Sequence, residues 1–137
     1  MKANHAYQQQ QAAGMPRIDL ILTLYDGALQ RLEQARALRA RQPDEARRLL
    51  QRVQLIIGGI ALGMDPAAGD VVANLQRLYE FIVHSLAAET DDSLRGAQEV
   101  LQTLRDGFEA VRGQAIDLER RGEIPPLDTP TVMQTFA

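Results

Sequence analysis

Residues able to do chemistry are few in this chain of 137, which has two histidines and no cysteine. His84 lies in a helical stretch with Glu80 four residues before it. A dinuclear carboxylate centre in a helical bundle needs Glu-x-x-His on two helices, with further glutamates turned inward. Here the spacing is off by one, and both residues fall on the outer face of their helix. His5 stands in an N-terminal stretch with nothing rigid to pair with. Ser85 follows His84 but sits roughly 100° round the helix from it, so the imidazole is no base for the hydroxyl. Ser93 closes Thr90-Asp91-Asp92-Ser93, which reads as a helix cap. No glycine-rich phosphate loop is present, because Gly58-Gly59 follows no strand. No catalytic residue, cofactor or metal is therefore assigned, and the chain reads as a non-enzyme.

What the chain has in surplus is apolar surface. Ala46, Leu49, Leu50, Val53, Ile56, Ile57, Ile60 and Met64 recur at i, i+3, i+4 and make one core face of a helix. The opposite face holds Leu55, Gly58, Gly59 and Leu62, where a helix that merely covers a core would be polar. Each glycine inside a helix costs about 0.5–1 kcal/mol relative to alanine. The usual compensation is close approach of another backbone, either a neighbouring helix or a docked chain.

The elements that must carry this surface follow from periodicity. Ile18, Ile21, Leu22, Tyr25, Leu29 and Leu32 form the stripe of a first helix from Arg17 to about Arg41, with Leu20 and Leu24 to one side. Pro43 with Asp44 and Glu45 starts a second helix running to about Met64. Asp65-Pro66 breaks it, and Asp70 is placed to cap a third with Val71, Val72, Leu75, Leu78, Tyr79, Ile82 and Leu86. A fourth follows the Thr90 cap, with a stripe from Leu94 to Leu118, and Gly122 ends it. The expected fold is an all-α, antiparallel up-down four-helix bundle. It is a single domain over 1–137: a mobile arm at 1–15, the bundle at 16–121, and a disordered tail at 122–137.

Composition narrows the function further. Hydrophobic residues make up 45% of the chain and aromatics only 4%, so the core is aliphatic. No signal peptide or membrane-length apolar run is seen, and a cytoplasmic protein without membrane insertion is expected. The net charge of −3 argues against general nucleic-acid binding. Seven arginines between Arg31 and Arg52 stand against Glu33, Asp44 and Glu45, and Arg36, Arg39, Arg41, Arg47 and Arg48 among them surround the turn between helices one and two. They read as a solvated hairpin end, with a docking patch for an acidic surface as the lesser reading.

Four stretches in register resemble the flagellin export chaperones, the bacterial FliS family. They are Ala6-Tyr7-Gln8-Gln9, Leu22-Thr23-Leu24-Tyr25-Asp26-Gly27-Ala28-Leu29, Asn74-Leu75-Gln76-Arg77-Leu78-Tyr79-Glu80-Phe81, and Leu104-Arg105-Asp106 with Phe108. Order and spacing hold over about residues 4–112. Phe108 stands where the family often has tryptophan, and the double glycine and the Pro125-Pro126 tail are not features that the resemblance requires. The resemblance implies a helical bundle that binds the C-terminal segment of flagellin, prevents premature polymerisation and escorts it to the type III export gate, without nucleotide or metal. It also implies that the arm carrying Tyr7 can occupy part of the client site. Combined with the apolar surplus, the expected client-binding residues are Tyr7, Leu20, Leu24, Leu55, Gly58, Gly59 and Leu62. The protein is expected to be a monomer or weak homodimer. The rival reading is an interaction module that homodimerises through helix two.

Overall fold

The computed structural model describes residues 14–123. The arm with Tyr7 and most of the tail lie outside these residues. Among the described residues there are five α-helices and no strand: α1 Arg17–Leu38, α2 Pro43–Leu62, α3 Asp70–Ala88, α4 Asp91–Ala110 and α5 Arg112–Arg120. A 3₁₀ turn at Pro66–Ala68 joins α2 to α3. α1 packs on α2 and α4, α3 packs on α2 and α4, and α5 closes against α1 and α4.

The ends show why these stretches are helices. Pro43 occupies the first turn of α2 with Asp44 and Glu45, where a missing N–H is harmless and negative charge is favoured. Asp65 Oδ1 accepts from the Ala67 N–H at 2.9 Å and starts the 3₁₀ turn. Gly69 follows at φ +119°, a conformation that side chains resist. Asp70 does not cap α3; it is the first helical residue, and Gly69 holds the cap position. The Thr90 expectation holds: Thr90 and Ser93 exchange bonds in a reciprocal capping box.

The expected fourth helix is two helices. At Val111 (φ −103°, ψ 9°) the N–H bonds to Phe108 O at 3.2 Å, three residues back, and the α-helical ladder stops. The bend turns Val111 outward, 43% exposed, and takes it off the core stripe to which periodicity assigned it. It also swings α5 onto the start of α1. There the first N–H of α1, at Arg17, donates to the Glu119 carboxylate at 2.8 Å. A helix-start donor that would otherwise lack a partner is thereby satisfied. Gly122 (φ +75°) then ends α5, with Gly122 N–H on Glu119 O and Glu123 N–H on Leu118 O, both at 3.0 Å.

The core is aliphatic with two tyrosines at its centre. Leu32, Val53, Ile57, Ile82, Leu86, Leu94 and Leu101 are fully buried. At about 1.5–3 kcal/mol for each large apolar side chain, this layer supplies most of the driving force.

Candidate functional site

The helix pairs differ in how completely they close. α1 and α4 run antiparallel, and a polar ladder joins them along their length. Arg39 pairs with Asp91, Arg36 donates to Gln98 Oε1 at 2.6 Å, and Arg105 Nε donates to Asp26 Oδ1 at 2.9 Å. Arg112, the first residue of α5, continues the ladder and grips both oxygens of Asp19 at 2.6 and 2.9 Å. The Arg112 hydrogen bond holds the Asp19 carboxyl below its usual pKa of 3.8.

α2 and α3 close at one end only. Arg47 Nε and Nη2 donate to the Glu89 carboxylate at 3.2 and 3.4 Å. Gln54 Nε2 then reaches Val83 O at 3.5 Å. Beyond that level the two helices part, and a groove of about 560 Å³ opens between them. Ile57, Gly58, Ala61 and Leu62 form its α2 wall; Tyr79 and Val83 face them; Gln76, Glu80 and His84 lie along the α3 side. A Cβ built on Gly58 would meet nothing within 4 Å. The glycine therefore serves no close approach of a neighbouring helix in this chain; it leaves space instead.

The seven residues expected at a client site do not converge. Gly58 and Leu62 line the groove, and Leu62 is 83% exposed. Gly59, one residue and roughly 100° further round, turns the other way. It lines a small crevice against α1 with Leu24, Ile21 and Met64. Leu55 is 55% exposed on the outside of α2 and lines neither. Leu20 is only 7% exposed and offers little free surface. Tyr7 lies outside the described residues. The contribution of α3 was missed. Periodicity along one helix cannot say which helix lies beside it, although Glu80 and His84 already stood on the outer face.

The stretches that carry the family resemblance meet inside the molecule. Tyr25 of α1 and Tyr79 of α3 place their hydroxyl oxygens 2.7 Å apart, with the side chains 0% and 2% exposed. Burial pushes both hydroxyls up in pKa, so both stay neutral. Phe108 of α4 packs on Tyr25, with ring centroids 5.5 Å apart. Asp26 and Arg105, from the same two stretches, form one rung of the α1–α4 ladder.

Elsewhere three arginines of the arginine-rich end have acidic partners, two from across the fold and one on the same helix. Arg39, Arg47 and Arg48 pair with Asp91, Glu89 and Glu45. Among the described residues no three His, Asp or Glu gather as a metal site needs, and no helix is long and apolar enough to cross a membrane. A family model described as flagellar protein FliS matches residues 1–115. No curated protein and no solved structure matches.

Proposed function

The chain belongs to the flagellar protein FliS family, and from that premise we propose that it is a cytoplasmic export chaperone for flagellin. It binds the C-terminal segment of flagellin, keeps it from polymerising early, and escorts it to the type III export gate. It acts without cofactor or catalysis. In this reading α1 to α4 serve as an up-down four-helix bundle that presents the site, with α5 as a brace.

The observation that carries the reading is the α2–α3 groove with the open space over Gly58. An amphipathic helix laid in a groove anchors through residues at i, i+3, i+4 and i+7. Folding a disordered segment on binding costs about 2–5 kcal/mol, so the surface that receives it must be apolar and extensive. Leu62, Ala61 and Val83 supply such a surface above the buried Ile57, while Glu80, Gln76 and His84 give it a polar edge.

Titration with the isolated flagellin C-terminal segment, followed by heat and circular dichroism, tests this. Binding with a gain of helix is expected. Gly58→Leu places a side chain where nothing now stands, so it should weaken binding at least about tenfold, some 1.4 kcal/mol, while the melting temperature holds or rises slightly. Binding that ignores Gly58→Leu would move the site elsewhere; no binding at all would end the chaperone reading. Leu55, exposed on α2 outside the groove, is the observation that favours a homodimer through this helix. Sedimentation across a dilution series decides between the two.

A further inference from the structure

The hydroxyl pair at the core is hard to account for by stability. Two hydroxyls bring two hydrogens, and the bond between Tyr25 and Tyr79 uses one. Neither hydroxyl has another partner among the described residues. A phenylalanine pair of the same shape would leave no buried polar group, and such replacements are often neutral or stabilising. A buried polar contact that adds little stability can still fix geometry.

The geometry it fixes is the spacing of α1 and α3. These helices face each other across the core and have little packing of their own; each rests on α2 and α4. Among the described residues, the hydroxyl bond is the polar link between them. Tyr79 also lines the α2–α3 groove. The helix that the bond holds is thus one wall of the groove. The other wall at this level is Gly58, which offers no side chain to keep α3 away.

We propose that the Tyr25–Tyr79 hydroxyl bond is a positioning device that holds α3 against α1 and so keeps the α2–α3 groove open. When the bond is cut, α3 rolls into the space over Gly58, where no packed neighbour resists it. Tyr25 and Tyr79 need not touch the occupant; they set the width that it meets. As far as it concerns affinity, this rests on the client reading given above.

The chain has no cysteine, so spin labels can be placed at will. Arg52→Cys on α2 and Arg77→Cys on α3 are exposed and lie outside the groove. The inter-label distance is measured in the full chain bearing Tyr25, Tyr25→Phe, Tyr79→Phe or both substitutions. Both single variants should shorten it equally, and the double variant no further. In parallel, each single variant should weaken the flagellin segment by about three- to tenfold, the equivalent of one net hydrogen bond, again without addition in the double. A bond that serves stability alone would lower the melting temperature while leaving distance and affinity unchanged, which overturns the proposal. If the wild-type chain binds no flagellin segment, the chaperone reading fails, but the distances still decide this one: unchanged distances overturn it.

Discussion

The α1–α4 seam and the α2–α3 seam are built from similar helices and differ in what crosses them. Across α1–α4, charged or amide side chains meet at three levels from Asp91 to Arg105, Arg112 of α5 adds a fourth on Asp19, and Leu94, Ala97 and Leu101 fill the space beneath. Across α2–α3, Arg47–Glu89 and Gln54–Val83 close one half, and glycine takes over where the next contact would fall. Individually, exposed ion pairs stabilise little. Their effect here is to fix the register of one seam. The other, lacking them, is free to receive something else.

The same substitution at the two seams should separate them most clearly. Leu101→Ala removes a fully buried side chain from α4 and should cost about 2–5 kcal/mol in denaturant melts. Leu62→Ala at the mouth of the groove should change stability by no more than about 0.5 kcal/mol. Comparable costs would mean that Leu62 is buried in solution, and the seam closed.

The next effect is at the centre, where the seams meet. Tyr25→Phe or Tyr79→Phe strands the other hydroxyl and should cost about 1–2 kcal/mol. The double variant should recover most of that loss, and a double-mutant cycle by urea unfolding reads the coupling. Strict additivity would mean that the hydroxyls do not bond.

Smaller still, and opposite in sign, is Gly58→Ala. With no neighbour to strike, alanine should stabilise α2 by about 0.5–1 kcal/mol in thermal melts. A loss would show that the position is crowded in solution. The smallest effect belongs to the ladder. Asp19 has a folded pKa below the unfolded 3.8, so its contribution is present above that value and lost as pH falls through the lower, folded one. Melts taken from neutral pH downward should fall less steeply below about pH 4 in Asp19→Asn than in the wild type.

The helices were legible because burial imposes periodicity. Ala46, Leu50, Val53, Ile56, Ile57 and Ile60 lie inside as their spacing requires, and Leu55 and Leu62 lie outside. The break at Val111 was not legible, since no proline marks it and the apolar stripe continues past it. What it serves is tertiary: past the break Arg112 meets Asp19 and Glu119 meets the first amide of α1. The candidate site was half legible. Adjacent glycines read as one feature, but a step of roughly 100° sends Gly58 toward α3 and Gly59 toward α1. The family stretches around Tyr25, Tyr79 and Phe108 pointed to a function while themselves building the core.

The bond from the Arg17 amide to Glu119 has a mechanical consequence. It brings the start of α1 and the last turn of α5 to one point on the surface, so tension on the two flanking strands of chain would pull that point apart in opposite directions. Such a load peels contacts in sequence, α5 from α1 first, instead of straining a whole seam at once. A fold pulled in this way should yield at low force, one helix at a time.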